Sequence, residues 1–195
     1  YHAKKTIESF GGKFEIQSHE GEGATITMTL PKAPAPKWFI EKLTIEPGCQ
    51  IISIDDDVSI HQVWKGRFES KQLMSVNVAH LTFTSANEFK SWFKDPGNQT
   101  IKSKRLYLVD YELLNQNATG LDIIEELGIG AQAILVTSRY EEDKIRERCD
   151  KLGVRMIPKA MAGFVPIEIT KPKEHFDGIL LDDDGLVHSC WAMDA

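Results

Sequence analysis

Five polar residues stand at the ends of short apolar runs, and their types fit one another chemically. Asp55 and Asp56 follow Ile51-Ile52-Ser53-Ile54, and Asp110 follows Leu106-Tyr107-Leu108-Val109. Thr137 closes Ala133-Ile134-Leu135-Val136, and Lys159 comes just after Val154-Arg155-Met156-Ile157. Three carboxylates brought to one point repel one another unless a cation sits among them, and oxygen ligands with room for water suit Mg²⁺. A hydroxyl and an ammonium beside that cation are groups that hold phosphoryl oxygens. A carboxylate can itself act as a nucleophile and form an acyl phosphate. Phosphoryl transfer asks mainly for positioning and charge neutralisation, and this set would supply both. Asp57, the next residue in the acidic run, reads as a helix cap rather than a ligand.

The chemistry requires elements that bring five distant positions together. From Gln50 the sequence alternates strand and helix. Residues 51–54 form a first apolar run of the kind buried on both faces of a sheet. Ile60, Val63, Trp64 and Phe68 then mark one face of a helix, and residues 75–83 read as a second strand. Ser85 and Glu88 have capping-box spacing and open a helix carrying Phe89, Trp92 and Phe93. Residues 106–109 predict a third strand, 120–127 a helix, 133–136 a fourth strand, 140–152 a helix that stops at Gly153, and 154–157 a fifth strand. This alternation predicts an α/β domain over residues 50–170, a doubly wound five-stranded parallel sheet covered on both faces. Functional groups in such a sheet collect at the carboxyl ends of the strands, where the five residues stand.

The flanks differ from this core. Ala3, Ile7 and Phe10 have helical spacing, and alternating runs over 13–18 and 24–30 are joined by Gly21-Glu22-Gly23 as a hairpin. A helix and a hairpin cannot make an independent core, so residues 1–31 are expected to be the tail of something larger. Residues 32–49 hold the Pro-rich linker, with Pro34 and Pro36 close behind Pro31, and an amphipathic lead-in over 38–45. At the other end, Asp55-Asp56-Asp57 with His61 and Trp64 recurs as Asp182-Asp183-Asp184 with His188 and Trp191, at a constant offset of 127 residues. That offset is about one small domain, so residues 177–195 are expected to begin a second domain of the same kind as a truncated strand-helix repeat. His61 and His188 are read as packing residues one turn before a tryptophan, and the tryptophans as core or interface anchors.

Composition narrows the partners. Hydrophobic residues make up 42% and charged residues 27%, the balance of a globular chain. A formal net charge of -6 gives no basic field for nucleic-acid phosphates. No apolar run approaches the roughly 20 residues that cross a bilayer. The three cysteines lack metal-ligand spacing and read as reduced thiols, which points to the cytoplasm, while a longer parent could be anchored in a membrane elsewhere.

With these residues in place, the segment from about Gln50 to Ile169 resembles a response-regulator receiver domain, a flavodoxin-like fold. The resemblance implies that Asp110 accepts a phosphoryl group from a phosphohistidine. It implies that Asp55, Asp56, Asp110 and the backbone carbonyl of Glu112 hold Mg²⁺, with Thr137 as the switch hydroxyl and Lys159 on the phosphoryl group. The first 31 residues, through Ala-Lys-Lys-Thr-Ile-Glu-Ser-Phe-Gly-Gly and Ser-His-Glu-Gly-Glu-Gly-Ala-Thr, resemble the end of a histidine-kinase ATP-binding domain. In that family the asparagine and aspartate that bind Mg-ATP lie upstream of such a stretch, so these residues are not expected to bind ATP. Kinase tail followed by receiver is the order of a hybrid sensor histidine kinase. The implied partners are a phosphohistidine-bearing kinase or phosphotransfer domain, the second receiver-like domain, and a second copy in a homodimer.

The sequence also departs from the receiver pattern. Pro158 precedes Lys159 and Ala160 follows it, whereas receivers place proline after the lysine; Met156 stands where an aromatic residue is usual. The loop after Asp110 is long, and Pro166 and Pro172 interrupt any helix after Lys159. Two other readings stay open. One is a degenerate receiver that takes no phosphate and serves as a docking or dimerisation module. The other is a haloacid-dehalogenase-like phosphatase using Asp55 and Asp57, with Asp182 and Asp183 in the same site.

Overall fold

A computed structural model describes residues 2–100, 104–114 and 118–170, together with the backbone of Leu180–Leu181 and Val187–His188. The chain divides into two compact units, one up to Lys37 and the other from Trp38. In the first, helix α1 (His2–Ser9) precedes strands β1 (Lys13–His19) and β2 (Gly23–Thr29), which pair antiparallel from Lys13 opposite Thr29 to His19 opposite Gly23. None of its described residues is buried, and Phe10, Ile16, Ile26, Met28 and Leu30 are each more than half exposed. One short helix beside a two-stranded hairpin cannot remove its apolar side chains from water.

The second unit holds the sheet. Its elements are β3 (Leu43–Ile45), β4 (Gln50–Ile54), α2 (Val58–Ser70), β5 (Ala79–Phe83), α3 (Ala86–Lys94), α4 (Pro96–Gln99), β6 (Arg105–Asp110), α5 (Gly120–Leu127), β7 (Ala133–Thr137), α6 (Asp143–Leu152), β8 (Arg155–Pro158) and β9 (Ile167–Ile169). Five of these strands form one parallel sheet in the order β5-β4-β6-β7-β8. Numbered along the chain, that is 2-1-3-4-5, the doubly wound order of flavodoxin-like folds, with its switch point between β4 and β6. The runs are apolar throughout because both faces are covered. Ile52, Ile54, Tyr107, Val109, Leu135 and Met156 meet Phe89 of α3, Ile123 of α5 and Cys149 of α6. Their alternate neighbours Ile51, Leu108, Ile134, Val136 and Ile157 meet Trp64 and Phe68 of α2.

On that second face no α-helix follows β8 among the described residues, only the 3₁₀ turn Lys159–Met161. Pro166 removes a backbone donor there, and β9 instead pairs in parallel with β3, Leu43 opposite Ile167 and Ile45 opposite Ile169. Leu43 and Ile45 are each 1% exposed, so the small ladder covers the sheet where a helix would lie. The Arg67 guanidinium donates to the carbonyls of Ala162 and Val165, satisfying irregular backbone that no ladder reaches. Trp38 to Ile40 also runs beside β8, through the Phe39–Met156 bridge and the Ile40 N–H on the Met156 carbonyl (3.0 Å). The packed unit therefore starts at Trp38, ahead of the Gln50 expected from pattern, because Ile40, Leu43 and Ile45 are core residues.

Two element bounds and one element type differ from the sequence reading. The second sheet strand starts only at Ala79, because Leu73–Val76 forms a 3₁₀ turn with Gln72 and Asn77 at φ 52° and 57°. The charged helix starts at Asp143. Near the end of the chain, β10 (Leu180–Leu181) pairs antiparallel with β11 (Val187–His188), where the repeat predicted a helix at His188. The rest of the expected 177–195 domain, with Asp182, Asp183 and Trp191, lies outside the described residues. Among the described residues, no helix is long and apolar enough to cross a membrane.

Candidate functional site

The carboxyl ends of β4, β6, β7 and β8 bring the sequence-predicted residues together. Asp55 follows β4 and Asp110 ends β6, and the two strands are neighbours in register, Ile54 opposite Val109. Both aspartates are buried, at 3% and 4% exposure. Asp56 is half-buried, and carboxylate oxygens of Asp55, Asp56 and Asp110 lie within 4.8 Å of one another. Lys159, directly after β8, reaches back across the sheet end. Its Nζ lies 2.8 Å from Asp110 Oδ2 and 3.1 and 3.0 Å from the two oxygens of Asp55.

Local structure fixes each member. Asp55 Oδ1 accepts the Asp57 N–H at 2.9 Å, which turns the chain into α2. Asp57 itself caps that helix, its carboxylate taking the Ser59 N–H at 2.8 Å, as its position after the strand predicts. The exposed side chain of Glu112 pairs with Arg139 at 3.3 Å. Thr137 is fully buried at the end of β7, opposite Pro158, and its Oγ1 accepts the Arg139 N–H at 3.0 Å.

The electrostatics are those of a crowded anionic site. Burial pushes the Asp110 carboxyl up to about 6; the Lys159 hydrogen bond works against that, and the Asp55 charge adds to it. Burial raises Asp55 as well, against the hydrogen bonds from Asp57 and Lys159. Burial alone would lower the Lys159 ammonium, but its bonds to Asp110 and Asp55 outweigh this and leave it raised. One cation thus faces three carboxylates, two of them desolvated. The donor set is all oxygen, and the surplus is negative, which fits a hard divalent cation such as Mg²⁺.

Two contributors were missed by sequence reasoning. Gly120 opens α5 so close to the strand end that a Cβ there would sit 1.9 Å from the Asp110 carbonyl oxygen. The Thr119 capping box fixes that helix start. A Thr-Gly pair before an apolar helix signals the cap, but not the closeness to Asp110. Arg139 ties the loops after β6 and β7 together, bonding Glu142 at 2.5 and 2.8 Å and Glu112 at 3.3 Å while stacking on Tyr111. Loop-to-loop pairing of this kind leaves no spacing in the sequence.

The sequence matches no family model and no curated protein. Among solved structures it is similar to the non-phosphorylated receiver domain of the stress response regulator RcsB from Escherichia coli, at 12% identity over 60% of this chain and 85% of that one, with a TM-score of 0.47. It is also similar to a response regulator receiver domain from Rhodospirillum rubrum, at 18% identity, covering 65% and 82%, with a TM-score of 0.42. A third is the receiver domain of the histidine kinase CKI1 from Arabidopsis thaliana, a structure complexed with Mg²⁺ and BeF₃⁻, at 13% identity, covering 57% and 81%, with a TM-score of 0.44.

Proposed function

We propose that residues 38–170 are a receiver module of a two-component phosphorelay, in which Asp110 accepts a phosphoryl group from a phosphohistidine. The observation that carries this reading is the Lys159 ammonium held between two buried carboxylates, Asp55 and Asp110, with Asp56 completing the cluster. An oxygen of Asp110 attacks phosphorus, the new O–P bond forms as the P–N bond breaks, and the histidine nitrogen keeps the electron pair and takes a proton from solvent. Asp55, Asp56, Asp110 and the Glu112 backbone carbonyl would hold Mg²⁺, which when bound neutralises charge on the phosphoryl oxygens. Lys159 stays with Asp110 and orients the group. Thr137 then turns to donate its hydroxyl to a phosphoryl oxygen, gives up the Arg139 N–H that its Oγ1 accepts, and so releases the loop that Arg139 anchors.

The first unit is read as the end of a kinase ATP-binding domain from its helix-hairpin order and the glycine-rich residues that join its strands. In that order the parent is a hybrid histidine kinase acting at the inner side of a membrane or in the cytoplasm. The commitment of the Asp57 carboxylate to the α2 cap leaves the phosphatase reading without its second aspartate.

The test is intact mass after incubation with acetyl phosphate and Mg²⁺, with Asp110→Asn alongside. One added phosphoryl group, about 80 Da, that needs both Mg²⁺ and Asp110 is expected. No gain in a folded protein would favour a docking module instead. Catalytic consumption of acetyl phosphate that needs Asp55 but not Asp110 would favour the phosphatase.

A further inference from the structure

His61 lies near the start of α2 and is 6% exposed, on the face that also buries Trp64 and Phe68. Those two rings stack with centroids 5.7 Å apart and hold that face against the sheet. A residue with a packing role alone would be apolar here, because a buried imidazole gives up its hydration. In return the ring has one hydrogen bond, from Nε2 to the backbone carbonyl oxygen of Asp55 at 2.8 Å. Its Nδ1 is buried and has no hydrogen-bond partner among the described residues. A carbonyl only accepts, so Nε2 carries a proton and donates it, whatever the charge of the ring.

The carbonyl that His61 holds belongs to the peptide joining Asp55 to Asp56. A peptide group is planar, so fixing its oxygen fixes the unit, and with it the directions in which the two residues leave the backbone. On its other side Asp55 is fixed by the ladder, its N–H donating to the Phe83 carbonyl of β5 at 3.0 Å. Carboxylate oxygens of Asp55, Asp56 and Asp110 lie within 4.8 Å of one another. Like charges brought this close repel, so their convergence depends on a backbone that does not yield. Without the imidazole the carbonyl of Asp55, a residue 3% exposed, is left unpaired, and the plane is free to turn toward another donor.

We propose that His61 is a positioning residue of the acidic cluster: its bond to the Asp55 carbonyl sets the Asp55–Asp56 peptide plane so that both carboxylates converge on one divalent cation. The inference rests on the cation site proposed above and assigns to His61 a part beyond the packing role read from sequence.

Mg²⁺ is titrated into the full chain and its binding is read by calorimetry, with urea unfolding in chelator alongside. His61→Leu keeps the bulk and removes the donor, and is expected to weaken Mg²⁺ binding at least about tenfold. His61→Met takes its place if the leucine variant does not fold. His61→Gln returns an amide N–H near the place of Nε2 and is expected to bind within about threefold of the parent. Val78→Ala opens the same core without touching Asp55, and is expected to lower the urea midpoint while keeping Mg²⁺ affinity within about threefold of the parent. Parental affinity in a folded His61→Leu, a glutamine variant as weak as the leucine one, or equal weakening by Val78→Ala would each overturn the proposal and leave the cation site standing. A parent protein that binds no Mg²⁺ would overturn the proposal and the cation site together.

Discussion

Replacing Asp110 by asparagine should make the metal-free protein more stable. The carboxyl is 4% exposed and its pKa is lifted to about 6, against 3.8 in the unfolded chain. At about 1.4 kcal/mol per unit, an ionised Asp110 costs the folded state about 3 kcal/mol at pH 7.5. Because the folded value is raised, the carboxyl's contribution to stability is fully present below the unfolded value and is lost as pH rises through about 6. At pH 4.5 most of the cost is gone, and about 1 kcal/mol remains. Asparagine carries no charge at either pH and keeps an oxygen for the Lys159 ammonium. Urea unfolding of both proteins with chelator, at pH 7.5 and 4.5, reads the difference. The variant should gain about 3 kcal/mol at the higher pH and about 1 at the lower. A variant less stable than the parent at pH 7.5, or a gap that ignores pH, would refute the reasoning.

Other substitutions test the elements around the cluster. Lys159→Met removes the only cation bonded to Asp55 and Asp110 among the described residues, and should cost about 3 kcal/mol at pH 7.5 in chelator, with much of the loss restored by millimolar Mg²⁺ in a thermal melt. Gly120→Ala places a methyl 1.9 Å from the Asp110 carbonyl oxygen, so α5 or the strand end must shift; a loss of about 2 kcal/mol or more in urea unfolding is expected. Arg67→Ala leaves the carbonyls of Ala162 and Val165 unsatisfied, and hydrogen exchange should rise over residues 161–170 while β6 stays protected, with a loss of about 1–3 kcal/mol.

The site was legible because an open parallel sheet turns sequence position into spatial position. Once four apolar runs are strands, the residue that ends each run must stand at one edge, and Asp55, Asp110, Thr137 and Lys159 do. The sheet itself was legible because its strands are buried on both faces and read as unbroken apolar runs. What escaped was set by tertiary context. Leu43 and Ile45 look like one face of a lead-in, yet they become a covering strand only because Pro166 and Ile167 return beside them. The late start of β5 depends on two left-handed residues, Gln72 and Asn77, whose types permit but do not dictate that geometry. The Asp-rich repeat failed as a guide to the backbone near His188, where Val187–His188 pairs as a strand with Leu180–Leu181. The Arg139 clamp and the His61–Asp55 bond join segments whose spacing carries no period.

The central claim is that Asp110 forms the acyl phosphate. After treatment with acetyl phosphate and Mg²⁺, borohydride reduces an aspartyl phosphate to homoserine, and peptide mass spectrometry locates it. Homoserine at Asp110, dependent on Mg²⁺ and absent when acetyl phosphate is omitted, is the predicted result. Homoserine at Asp55 or Asp56 instead, or a phosphoryl group that borohydride cannot displace, would contradict it.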